Sequence, residues 1–267
     1  DELAGKLELF RQAFAEEDDF LAAIQEPLVA TLVSPQFLFL IEPAEAGVRR
    51  RRPLDDFELA SRLSYFLWST MPDEELMSLA EAGKLARPEV LHAQVDRMLA
   101  DKNAEAFYRG FMSQWLGLGK LDDLMIEDER WVVRTGLRTS MKQEPVALFG
   151  ELVRSDLSLL NLIDSDFAML NERLAQHYNI PDVFGDSFRK VQLREEDSRG
   201  GLLTQAASMA ITTDGMITSP IYRGKWLMEA ILDRPPPPPP PNVPPLDDAP
   251  EERLSLRDQL VRHREDT

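Results

Sequence analysis

The sequence contains no cysteine. Within these residues that excludes a disulfide framework, a thiolate metal site, a thioether-bound haem and a cysteine nucleophile. Histidine is almost as scarce, with 3 in 267 residues. His92, His177 and His263 lie far apart, and none shows H-x-x-x-H ligand spacing, so a structural or surface role is the plain reading of each. There is no G-x-S-x-G, P-loop or G-x-G-x-x-G. No run approaches the ~20 apolar residues that a membrane span needs. Positive charge is short as well: 30 Lys and Arg stand against 47 Asp and Glu, a formal net charge of -17. That argues against nucleic acid and anionic lipid as partners, because both need a cationic face. The N-terminus "DELAGKLELF" has no signal-peptide pattern and no initiator Met, and "LVRHREDT" stops as abruptly at the other end. The expectation is a segment of a longer polypeptide.

What the sequence does have is helical periodicity almost throughout. Leu3, Leu7, Phe10 and Phe14 form one stripe; Phe20, Ile24, Leu28 and Leu32 form another, with Pro27 expected to kink or divide it. The one basic run, Arg49–Arg52, reads as a solvated loop paired with nearby acids such as Asp55 and Asp56, the alternative being an anion site. Asp55 or Asp56 caps a helix carrying Phe57, Ala60, Leu63, Leu67 and Trp68, and Asp73 or Glu74 starts the next, which ends at Gly83. Trp68, Met98, Met112 and Trp115 sit at helical spacing and read as core. A long amphipathic stretch over 129–153 is expected to break at Pro145. "LNERLAQHYNIP" is a helix stopped by Asn179 and Pro181. "SFRKVQL" alternates and is the best strand in the chain. "SPIYRGKWLMEAILD" starts at Ser219 with Pro220 in its first turn, Leu227, Met228 and Ile231 facing inward.

That helix runs into seven prolines, and residues 235–250 hold 10 of the chain's 19. Seven prolines adopt polyproline II and span roughly 22 Å at ~3.1 Å each. They read as a stiff strut leading to a further helix at 255–264, the alternative being a docking strand for an aromatic groove. The fold class expected is mainly α: a multi-helix array, then a smaller glycine-rich C-terminal module, with the polyproline II strut outside it.

Paired acids at 18–19, 55–56, 122–123 and 247–248 read as solvated faces or caps in so acidic a chain. Hydrolysis through such a pair finds no support in the spacing. One cluster is denser in special residues: Arg199 with Gly200 and Gly201, Thr213 and Asp214, then Thr218, Ser219 and Arg223. Glycines permit unusual backbone angles, Asp214 can make an Asx turn, and Ser219 can cap a helix. Arg199 or Arg223 could clamp a carboxylate. Two readings stand: a tightly packed turn held by Arg–Asp pairs, or a ligand or partner site.

At these residues a resemblance enters. "LASRLSYFLWSTMPDEELMSLAEAGKL", "QVDRMLAD", "LNERLAQHY", "RGGLLTQAASMAITTDGMITSPIYRGKWLMEAILDRPPPPPPPNVPPL" and "LRDQLVRHRED" together resemble the consecutive domains of unknown function of planctomycete-type cytochrome-associated proteins. The resemblance implies three parts: residues 1–45 as the tail of a preceding helical domain, 53–180 as a helical domain, and 186–267 as a C-terminal module. In that family the last helix is typically followed by a C-x-x-C-H haem motif, so the absence of cysteine would reflect where the segment ends. The resemblance therefore implies no cofactor within this chain, a c-type haem in the flanking sequence, and a periplasmic or cell-surface location. The implied partner is a flanking cytochrome-like domain or another envelope protein. The function it implies is the non-haem scaffold of a cytochrome-linked oxidoreductase or electron-transfer protein, the alternative being a non-catalytic binding or structural module of the cell surface. "KQEP" departs from the family's Glu-Thr, so no functional weight is placed on Glu144.

Overall fold

The computed structural model describes residues 2–39, 52–124, 136–213 and 219–237, together with positions 258 and 261. Among the described residues the chain is mainly α-helical, with one two-stranded sheet. It forms two compact units: residues 1–64 with 71–92, and residues 65–70 with 93–267.

In the first unit α1 (Glu2–Glu17) is followed by α2 (Phe20–Ala23), α3 (Gln25–Leu32) and α4 (Pro35–Leu38). The expected division at Pro27 falls just ahead of it. Proline has no N–H to give the Ala23 carbonyl, so the helix ends at Ala23 and restarts at Gln25. The expected stripe is not the buried one: Phe20, Leu28 and Leu32 are exposed, while Ala23 and Pro27 are buried. Next comes α5 (Asp56–Trp68), whose last turn belongs to the second unit. Asp55 Oδ1 accepts from the Glu58 amide at 2.8 Å, and Glu58 accepts in return from the Asp55 amide at 3.0 Å, a closed capping box. Arg52 grips the Glu58 carboxylate with both guanidinium nitrogens. This grip, helped by the Asp55 amide, pulls the Glu58 carboxyl down to about 2. Arg52 thus pairs with the nearby acid Glu58, while Asp55 caps the helix and Asp56 accepts from the Leu85 amide at 3.0 Å. Asp73 caps α6 (Glu74–Glu81) through the Leu76 amide. The rest of the arginine run lies outside the described residues.

The second unit is built on α8 (Glu105–Leu116) packed against α10 (Leu137–Arg154). Between them in sequence lies the short α9 (Lys120–Asp123), and before them α7 (Pro88–Ala100), which begins in the first unit. Gly117, at φ 71°, ends α8 in the left-handed region. Tyr108, Met112 and Leu116 meet Met141, Leu148 and Leu152 in one core. Around it Phe107, Phe111 and Phe149 lie 5.2–6.0 Å apart, ring centre to ring centre. Contrary to the sequence expectation, α10 runs unbroken through Pro145. A mid-helix proline costs about 3 kcal/mol by losing one hydrogen bond and crowding the preceding turn. Here Met141, Glu144, Pro145, Leu148, Phe149 and Leu152 are all buried, and that packing overrides the local preference.

The strand read at "SFRKVQL" is β2 (Arg189–Gln192). Its antiparallel partner β1 (Phe167–Leu170) pairs Phe167 with Gln192 and Leu170 with Arg189. β1 carries little strand signal of its own: "FAML" is four apolar residues with no alternation. Between the strands lies α11 (Glu172–Tyr178), capped by Asn171 and closed by Asn179 at φ 57°. Beyond them come α12 (Ala206–Ile211) and α13 (Pro220–Trp226). A π-helical turn, Leu227–Ile231, follows α13, with the Leu232 amide bonded to the Leu227 carbonyl. That extra residue per turn rotates the inward face. Trp226 and Ile231 reach the core, and Met228 is exposed instead of buried. Two tryptophans tie this segment to α8: Trp115 donates to the Ala230 carbonyl at 2.7 Å, and Trp226 donates to the Leu116 carbonyl at 3.3 Å. The strut beyond Pro237, and all of the last predicted helix except positions 258 and 261, lie outside the described residues.

Candidate functional site

Of the residues singled out in sequence, Arg199 leads to the most unusual chemistry in the second unit. Its guanidinium lies over the Tyr178 ring at 3.6 Å and donates to the Thr204 carbonyl at 2.8 Å. The turn that carries it presses against the backbone at residues 163–165. A Cβ on Gly200 would stand 2.8 Å from the Ser165 carbonyl oxygen, and one on Gly201 only 2.4 Å from that of Ile163. Gly201 also has φ +62°, which L side chains avoid. The Thr204 hydroxyl closes the turn by accepting from the Gly200 amide at 2.9 Å.

Behind Tyr178 stands Glu144, 1% exposed, at the centre of α10. The Tyr178 hydroxyl donates to Glu144 Oε2 at 2.6 Å and accepts from the Ala206 amide at 2.7 Å. The hydroxyl thus caps the first residue of α12, which its own N-cap Gln205 leaves without a side-chain partner. Burial pushes the Glu144 carboxyl up to about 8; the Tyr178 hydrogen bond and the Arg199 charge oppose this and are outweighed. Burial, reinforced by the neighbouring Glu144, also raises Tyr178. At neutral pH Glu144 is therefore mostly a neutral acid in an apolar wall of Leu148, Phe167 and Leu193. Gln205, 5% exposed, lines the same enclosed space, and its Oε1 has no hydrogen-bond partner. The space itself is about 10 Å³, at the lower limit for a single water.

Among the described members of the predicted cluster, Arg199 lies in the turn that precedes α12. Arg223 lies at its other end, where its Nε approaches the buried Thr212 hydroxyl at 3.5 Å. Thr213 donates to the Ala210 carbonyl at 3.1 Å, and Ser219 caps α13 through the Tyr222 amide at 3.3 Å. Asp214 and Thr218 lie outside the described residues. Sequence reasoning set Glu144 aside and did not single out Tyr178. A signal was present: Glu144 shares a helical face with Met141 and Leu148, and an acid on an apolar face requires a partner.

A thioether-bound haem needs cysteine, and the sequence has none. His92 and His177 are exposed, and no group of three metal-ligating side chains occurs among the described residues. Nor is any helix among them long and apolar enough to cross a membrane.

Residues 54–180 match PSD4, a protein of unknown function (DUF1592), and residues 199–267 match PSCyt3, a protein of unknown function (DUF1588). Glu144 and Tyr178 fall in the first segment, and Arg199, Gln205 and Ala206 in the second. No curated protein and no solved structure matches the chain significantly.

Proposed function

We propose that this chain, with one segment matching PSD4 and another matching PSCyt3, is the non-haem scaffold of an extracytoplasmic cytochrome-linked oxidoreductase or electron-transfer protein of the planctomycete-type cytochrome-associated proteins. The observation that carries the reading is the buried joint between the two segments. Tyr178 of the first bonds the Ala206 amide of the second, and Arg199 of the second covers the Tyr178 ring. A joint of this kind fixes one segment on the other, as a frame for a neighbouring module requires. The enclosed space at Glu144, about 10 Å³, is too small for an organic substrate, which favours a structural role for the pair. The haem would sit in flanking sequence, and the partner would be that cytochrome-like module or another envelope protein.

An absorption spectrum of the chain with its natural flanking sequence, produced in a host that matures c-type cytochromes, tests the reading. A Soret band that shifts on reduction supports it. Fully matured protein without haem would turn the assignment to a non-catalytic binding or structural module of the cell surface.

A further inference from the structure

We propose that an exposed aromatic row along α8 is a polyproline II binding face, and that its occupant is the chain's own proline run, Pro235–Pro241. The inference does not depend on the haem reading.

The row lies wholly in the second unit. Phe66, in the last turn of α5, leads to Phe107, Phe111 and Trp115, which follow one another at four-residue spacing on α8. Successive ring centres are 5.0, 6.0 and 5.4 Å apart. The buried Phe149 ring backs Phe107 and Phe111 at 5.8 and 5.2 Å. Phe66 is nevertheless 64% exposed and Phe111 42%. The rings are held in place with their outer sides in water, and an apolar row of this length on a surface marks a contact site. Its chemistry restricts what can cover it. Among these four side chains the only N–H is that of Trp115, and it is already given to the Ala230 carbonyl at 2.7 Å. An ordinary peptide pressed onto phenylalanine rings leaves amide groups short of acceptors. A proline run has no amide hydrogen to lose, and the carbonyls of a polyproline II helix need only water.

Such a run is tethered at the end of the row. Ala230, whose carbonyl holds Trp115, stands five residues before Pro235. Asp233, at φ 48°, turns the chain out of the π-helical segment. Pro236 is half-buried between the exposed Pro235 and Pro237, so the run sets out against the protein surface. Seven prolines reach roughly 22 Å at ~3.1 Å each, more than the row's three ring-to-ring steps of 5.0–6.0 Å. The short tether gives the run an effective concentration on the order of millimolar at the row. Polyproline II is stiff before it docks and loses little conformational entropy on docking, so weak ring contacts are enough to hold it.

The test compares the natural chain with one in which Pro235–Pro241 is replaced by an equally long Gly–Ser stretch. The probe is a free heptaproline peptide, titrated into each and followed by NMR. The Gly–Ser chain has an open row and should bind the peptide, with shifts at the ring protons of Phe107 and Phe111. The natural chain should bind it about tenfold more weakly, because its own run competes at close range. In the Gly–Ser chain, Phe66→Ala together with Phe111→Ala should weaken binding about tenfold or more. Equal binding by the natural and Gly–Ser chains would assign the face to a partner's proline segment and overturn the proposed occupant. Binding by neither, or binding that the double substitution leaves unchanged, would overturn the face itself. Should the Gly–Ser chain fail to fold, nuclear Overhauser contacts in the natural chain decide. Contacts from proline δ protons to the Phe111 ring support the docking; their absence defeats it.

Discussion

The Arg199 guanidinium stacks 3.6 Å above the Tyr178 ring, with Glu144 on the hydroxyl end of that ring. One aromatic side chain thus meets a cation on its face and an acid at its tip, and it does so where two family segments join. The stack needs a flat cation. Arg199→Ala should lower stability by about 1–2 kcal/mol, and Arg199→Lys should recover only part of this because an ammonium cannot lie flat on the ring. Urea unfolding of the two variants checks the order.

Tyr178→Phe keeps the ring under Arg199 and removes the hydroxyl. It takes away the oxygen that the Ala206 amide bonds at 2.7 Å and the hydroxyl that donates to Glu144 at 2.6 Å. The cost should be about 2–3 kcal/mol, larger than for Arg199→Lys. Thermal unfolding with both variants side by side measures it.

Two glycines should respond in opposite directions. Gly201→Ala puts a methyl into the Ile163 carbonyl at a φ of +62°, and should cost about 3 kcal/mol or more. Gly224, inside α13, has nothing within 4 Å of its missing Cβ. Gly224→Ala should therefore stabilise by up to about 1 kcal/mol. Equal effects on the unfolding midpoint would contradict the backbone geometry.

Global stability should carry the mark of Glu144. Its carboxyl is held at about 8 in the folded chain, well above its ordinary unfolded value. The folded state then binds one proton more than the unfolded state between those limits. This contribution is fully present below the unfolded value and is lost as pH rises through about 8. Glu58 runs the other way: its carboxyl is pulled down to about 2, so its contribution is full above the unfolded value and is lost as pH falls from there through about 2. Urea unfolding of Glu144→Gln against wild type from pH 5 to 9 isolates the first effect: the difference between them should change steadily in the variant's favour up to about pH 8.

Much of the architecture was determined by local chemistry and so was legible in sequence. Asp73, Asn171 and Ser219 cap helices because each side chain reaches an amide only three residues away. Asn179 ends α11 because it tolerates the left-handed turn. Pro27 divides a helix for want of one N–H. These effects involve neighbours in the chain, and composition records them. The failures lie where distant residues outvoted local ones. Pro145 stays inside α10 because its helix is packed from several sides. Met228 turns outward because a π-helical turn rotates the face behind Trp226. Glu144 and Tyr178 are 34 residues apart, so nothing in their local sequence marks them as partners. Only the tertiary structure decided that an acid on an apolar helix would be buried and kept neutral, because burial and the single partner that answers it both come from elements brought together by folding.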